Sequence, residues 1–391
     1  MDEDNTRLRT PQPHSEQPTK KDCFMTITAL SGEYPYYCFG RSGISNNYAK
    51  LLRHKLLHDE LIRIHKENGL KGISLTAKGL EKLKERFPGR FDYISEKSRT
   101  ELSRRYRKQC FALTYCSIMN ADIEFLPDRK PFIFARRRSQ PYSVSSPILK
   151  TSMLSDQPVF YSSVEIKYEL EDLVQQIRNS AMTGLILSAS YCFAIYHIGE
   201  NRYPLSYATE RKASMMITDG TFLESGGNYS KAIFLVNDFS VAEELVSGNK
   251  KKKTVPSKVI LNEAYRHIYI IPETPEGDLQ LRILCHSELS EIIEDTFCEA
   301  FGESNPGFKI INDGFDEDGC PVLNACHLDI IRLLRFKRGL LTNDISGRLL
   351  CYDFQMDFIA KLMKPSKVHI NSVCFFLPKR LEIPINSRVS G

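Results

Sequence analysis

The stretch from Ile44 to Phe87 constrains the chain more than any other, because its apolar period switches from helical to strand and back to helical. Leu51, Leu52 and Leu56 give a helix an apolar stripe, and Lys50, Arg53, His54 and Lys55 crowd the remaining surface. Leu61 to His65 and Leu70 to Leu75 then have strand character, with Ile62 and Ile64 on one face of the first and Ile73 and Leu75 on one face of the second. Asn68-Gly69 between them supplies the positive φ angles of a tight hairpin, so the two strands close as a ribbon carrying Arg63, His65, Lys66 and Lys71. Thr76 caps a following helix with Leu80, Leu83 and Phe87 on its stripe, stopped by Pro88-Gly89.

Helix, ribbon, helix is the order of a winged helix-turn-helix module, and it sets the expectations for the first third of the chain. Residues 1–22 are polar and proline-bearing and are expected to form a disordered tail ahead of a module spanning 23–95. Cys23 to Leu30 supplies its first helix. Tyr36, Tyr37 and Phe39 are expected in its core, since a small module needs large side chains to bury enough area. In such modules the second helix of the helix-turn-helix enters the major groove and the wing reaches the backbone. The expected DNA contacts are therefore Asn46, Asn47, Lys50, Arg53 and Lys55 on the helix, with Arg63, Lys66 and Lys71 on the wing.

Charge supports that assignment. The net charge is a modest +5, but seven Lys or Arg fall between Arg41 and Lys71 against Asp59, Glu60 and Glu67. Six more fall between Glu96 and Lys108 against Glu96 and Glu101. A basic excess gathered at one end points to a polyanion. Arg99 to Met119 has the character of a helix that is basic at its start and apolar at its end. It is expected to connect the module to a second domain across 96–125, with Arg104, Arg105 and Lys108 adding phosphate contacts. The same charges on a helix used for protein contacts give the alternative of an interaction scaffold that never touches DNA.

Beyond residue 126 the patterning alternates between strands and helices, which predicts an α+β protein with a mixed α/β domain over 126–302 and a smaller α/β unit over 303–391. Strands are expected at Val159 to Tyr161, Gly184 to Leu187, Tyr191 to Ile198 and Lys231 to Val236. Helices are expected from Ser162 to Ile177, Tyr207 to Ile217 and Ser240 to Val246. His267 to Ile271 and Leu279 to Cys285 are predicted to pair as a hairpin across Pro275-Glu276-Gly277-Asp278, followed by an acidic helix from Ser287 to Phe301. In the last unit Asp313 to Gly319 is a turn that fails the calcium-loop pattern, because the first ligand place would fall on Gly314 and the twelfth on Ala325.

The usual catalytic signatures are missing. The sequence holds no phosphate-binding Gly-x-x-x-x-Gly-Lys-Ser/Thr loop, no Gly-x-Gly-x-x-Gly and no Gly-x-Ser-x-Gly. Its eleven cysteines form no Cys-x-x-Cys pair, so reduced, mostly buried thiols are expected and neither a metal nor a cofactor. No apolar run reaches membrane-spanning length and no apolar leader is present, so a cytoplasmic protein is expected. Glu210-Arg211-Lys212 is half of a metal-nuclease pattern, in which carboxylates hold Mg²⁺ and the lysine assists the attacking water. The preceding strand lacks the second carboxylate, which favours a solvated helical triplet, with a Mg-dependent nuclease as the alternative.

The segments Ala29 to Pro35 (ALSGEYP), Leu51 to Ile62 (LLRHKLLHDELI) and Ser74 to Gly79 (SLTAKG) resemble the winged-helix heads of the replication-relaxation family, proteins of plasmids and integrative conjugative elements. That resemblance implies a second domain like a nuclease fold without a complete active site, built from FYSSVEIK, GLILS, YATERK and KAIFLV. It also implies a non-catalytic accessory protein that binds double-stranded DNA. The α/β portion would form a homodimer or recruit replication or conjugation proteins.

Overall fold

The computed structural model describes residues 19–91, 93–94, 101–130, 157–169, 180–188, 191–199, 207–218, 231–247 and 265–373. It is an α+β protein, and among the described residues the strands form three sheets. The chain divides into two compact units, Met1–Ile292 and Ile293–Gly391.

The first unit opens with helix α1 (Lys20–Ser31), fixed by a capping box in which the Asp22 amide donates to Thr19 Oγ1 and the Thr19 amide donates to Asp22 Oδ2. Helix therefore begins inside the segment expected to be a tail, and the rest of that segment, residues 1–18, lies outside the described residues. Next come β1 (Tyr34–Pro35), a 3₁₀ turn (Phe39–Ser42), α2 (Asn46–His58), β2 (Ile62–Glu67), β3 (Leu70–Leu75) and α3 (Ala77–Arg86). The three strands form an antiparallel sheet in the order β1-β3-β2. Asn68 and Gly69 adopt φ of 44° and 83°, as a two-residue hairpin turn requires. Phe24, Ile27, Tyr34, Phe39, Leu52, Leu56, Ile73 and Leu80 fill the space between helices and sheet.

Helix α4 (Leu102–Asn120) departs from the expected connector, because it is buried along most of its length. Its inner face packs on α1, β1 and the 3₁₀ turn on one side and on the second half of the unit on the other. Ala112, Tyr115, Cys116 and Ile118 join one continuous apolar core that runs from Phe24 through Phe193 to Leu284.

That second half is a five-stranded sheet, β4 (Val159–Ser162), β5 (Met182–Leu187), β6 (Cys192–Ile198), β7 (Lys231–Val236) and β8 (His267–Pro272), in sequence order across the sheet. β4, β5 and β6 run as an antiparallel meander, and β6, β7 and β8 are parallel. The nearly unbroken apolar strands fit a sheet covered on both faces. Helices α5 (Ser163–Glu169), α6 (Tyr207–Thr218) and α7 (Phe239–Ser247) accompany them. The expected continuation of α5 to Ile177 and the lysine loop from Lys250 to Lys253 lie outside the described residues.

The hairpin expected after β8 does not form. Residues Pro275–Cys285 are a helix, α8, capped by Thr274 Oγ1, which accepts from the Gly277 amide at 3.2 Å, with proline in the first turn. Gly277, Asp278, Leu281, Leu284 and Cys285 face inward at helical spacing, so the period-2 alternation of Leu279, Leu281 and Ile283 was misleading. The acidic helix α9 (Ser287–Phe301) follows as predicted, and the division between the units falls within it.

The second unit has a four-stranded sheet ordered β12-β11-β10-β9, made of β9 (Gly314–Phe315), β10 (Pro321–Asn324), β11 (Gly347–Tyr352) and β12 (Val368–Val373). β10, β11 and β12 are parallel, with α10 (Ile330–Asn343) and α11 (Met356–Met363) as crossovers. The acidic run from Asp313 makes the turn into β10, where Asp316 Oδ1 accepts from the Asp318 and Cys320 amides. Among the described residues no helix is long and apolar enough to cross a membrane.

Candidate nucleic-acid interface

Helix α2 begins at Ser45, whose hydroxyl accepts from the Tyr48 amide, and it turns Ala49, Leu52 and Leu56 into the core. Every other residue of the helix except Arg53 is exposed, including the predicted contacts Asn46, Asn47, Lys50 and Lys55. No Asp or Glu occurs within α2; Asp59 and Glu60 just beyond it lie beside His58 and Lys78. The outer face of the helix is therefore open, free of carboxylates, and carries Lys50 and Lys55 among neutral side chains.

Arg53 and Lys71 are held differently from freely solvated cations. The Arg53 guanidinium lies 4.3 Å from the Tyr36 ring centre and 5.2 Å from that of Phe39, and Lys71 Nζ lies 3.4 Å from the Tyr36 ring centre. Tyr36 thus joins α2 to β3 through two cation–π contacts. The expected aromatic core is divided: Phe39 is buried, Tyr36 half-buried, and Tyr37 stands 80% exposed at the edge of Tyr36.

The ribbon carries Arg63 and Lys66 exposed on β2. Arg63 Nε donates to Ser74 Oγ at 3.1 Å, and His65 shares the same hydroxyl at 2.9 Å. Arg105, expected to touch phosphate, is instead buried. Its Nε and Nη2 donate to the two oxygens of Glu33 at 3.0 and 2.8 Å, and Nη2 reaches the His65 carbonyl at 3.3 Å. A guanidinium already paired in this bidentate way, away from solvent, has nothing left for a phosphate, and through His65 and Glu67 it ties the turn end of the ribbon to α4. Arg104 remains exposed beside Glu101. Lys108 is half-buried along Gly32, and burial lowers its amine pKa, with Arg63, Arg105 and Arg104 pulling the same way against Glu33.

Among the described residues the nuclease constellation does not assemble. Glu210 is buried rather than solvated, accepting from Ser180 Oγ at 2.7 Å, the Ala181 amide at 3.0 Å and Tyr196 Oη at 2.7 Å. Tyr196 in turn shares a hydrogen bond with Tyr265. The carboxylate is consumed in tying α6 to the start of β5 and to β6, while Lys212 is exposed. β5 and β6 contribute no Asp or Glu, and no group of three His, Cys, Asp or Glu that could hold a metal is present among the described residues.

Two internal polar pairs escaped the sequence analysis. His197 at the end of β6 meets Glu273 after β8, Nε2 to Oε1 at 2.8 Å. Burial alone would lower the imidazole pKa, but the Glu273 carboxylate, helped by Cys110, raises it to about 10. Arg41 reaches across to α8 and donates to both oxygens of Asp278, at 2.7 and 2.6 Å, and to Ser117 Oγ at 2.8 Å. Pairs that join residues so far apart in sequence leave no local spacing to detect.

No family model matches the chain, and no curated protein and no solved structure matches it.

Proposed function

We propose that the elements from α1 to α3 form a winged helix that binds duplex DNA, with α2 as the groove-entering helix and the β2–β3 ribbon as the wing. One observation carries this reading. The outer face of α2 is exposed and free of carboxylates, while α1, β1, β3 and the 3₁₀ turn pack against α4. The contacts proposed are Asn46, Asn47, Lys50 and Lys55 from the helix, and Arg63 and Lys66 from the wing. Arg53 and Lys71 sit where helix meets wing, and Arg104 and Lys108 extend the basic surface. The sequence resemblance to winged-helix heads of mobile-element proteins supports a cytoplasmic, non-catalytic accessory role in plasmid or conjugative-element replication or transfer. The α/β portion would pair with a second copy or with replication proteins.

The test is fluorescence anisotropy of a labelled duplex titrated with the whole protein at several salt concentrations. Affinity should fall linearly on logarithmic axes by about 0.9 per phosphate contact. Lys50→Glu and Lys66→Glu, both at exposed positions, should each weaken binding and lessen the slope by about 1 per lost contact. DNA binding indifferent to both substitutions would reject this interface, and absence of any duplex binding would favour a protein-interaction scaffold.

A further inference from the structure

The inward residues Ala49, Leu52 and Leu56 fix the orientation of α2, and a helix advances about 100° per residue. The stripe most distant from the core is then Asn47, Leu51, His54 and His58. All four side chains are exposed, and Leu51 is 70% exposed in the middle of the helix. It is turned away from Ala49, Leu52 and Leu56, and its apolar neighbour at helical spacing within α2 is Tyr48, three residues earlier and 40% exposed. The other positions around it, Asn47, Lys50, His54 and Lys55, are polar or basic, and α2 has no acidic side chain.

We propose that Leu51 is a specificity-determining residue that packs on the 5-methyl group of a thymine in the major groove. The inference rests on the DNA-binding reading above and deepens it. An apolar tip with Tyr48 on one side and Asn47, Lys50, His54 and Lys55 around the rest fits a partner with a small apolar group set among negative charges. A duplex offers that combination, because the thymine methyl is the apolar group displayed on the major-groove edge and phosphates flank it on both sides. A-form RNA offers neither an accessible major groove nor the methyl. A protein partner would have to bring its own acidic surround.

The test uses a duplex recovered from a randomised DNA pool by repeated selection on the full-length protein. It is resynthesised with deoxyuridine replacing each thymine in turn, which removes one methyl and leaves every hydrogen-bonding group. At one position the replacement should weaken binding by the wild-type protein about fourfold, the effect of losing one buried methyl-sized group. Leu51→Ala, at an exposed helix position, should bind the thymine duplex at least as weakly and should not respond to the replacement. The proposal is overturned if no single replacement matters to the wild type, or if Leu51→Ala stays as sensitive as the wild type. A Leu51→Ala protein with unchanged DNA affinity but altered elution in gel filtration would assign the leucine to a protein contact and overturn it as well. Recovery of no duplex at all, or stronger retention of duplex RNA, would instead overturn the DNA-binding reading on which the inference stands.

Discussion

Glu33 receives three donors, two from Arg105 and one from Gln109 Nε2 at 2.7 Å, and this cluster lies directly against the backbone of Gly72. A Cβ at Gly72 would sit 1.9 Å from Glu33 Oε1 and 2.6 Å from Gln109 Nε2, so alanine cannot enter without expelling the carboxylate. Breaking a buried ion pair by displacing one partner costs about 3 kcal/mol. Gly72→Ala should therefore lower unfolding stability by about that amount in denaturant titration, whereas Gly69→Asn, at a turn position open to positive φ, should cost far less. His197 gives a second expectation. A histidine whose folded pKa is raised contributes stability that is fully present below its unfolded pKa and is lost as pH rises through the folded value. With that value at about 10, thermal stability should decline between roughly pH 6.5 and 10. Glu273→Gln, which keeps the hydrogen-bonding shape but removes the charge, should flatten the decline.

Among elements, those whose periodicity extends over several turns or strands were legible from the sequence, and those decided by a few tertiary contacts were not. The α2–ribbon–α3 segment and strands β6 and β7 sit close to where alternation and caps put them. Helix α8 is hidden because Leu279, Leu281 and Ile283 mimic a strand, and because Pro275, which opens the helix, equally fits the expected Pro275-Glu276-Gly277-Asp278 turn. The role of α4 was hidden for another reason: Arg105 and Gln109 look like a solvated face until Glu33 is brought to them by the fold. Glu210 is the same kind of case, its partners Ser180 and Tyr196 coming from other elements. At this scale Tyr36 makes a sharp prediction, because it clamps Arg53 of α2 and Lys71 of β3 without carrying charge. Tyr36→Leu should weaken duplex binding by about two- to fivefold, the worth of one cation–π contact at an exposed site, while leaving the salt slope unchanged.

The first unit behaves as one body because its two halves share a core and are tied by buried pairs. Arg41 joins the 3₁₀ turn to α8 through Asp278, and Arg90 donates to both oxygens of Asp128 at 2.7 Å each. Removing Arg41 leaves the Asp278 carboxylate buried, held by the Asn120 amide at 2.7 Å, so Arg41→Ala should destabilise the protein by about 3 kcal/mol in chemical denaturation. It should also shift the transition of the module and the five-stranded sheet together rather than release one from the other. The burial of α4 on both of its sides has a practical corollary for anyone dissecting the gene. A fragment ending near residue 95, where the patterning suggests a natural cut, would leave Phe24, Tyr34 and the Glu33 carboxylate facing water and should be recovered as insoluble protein. A cut after Asn120 would bare the other side of α4 instead, where Tyr115 packs edge-on against Phe160, so the shortest piece expected to stay soluble is the whole first unit.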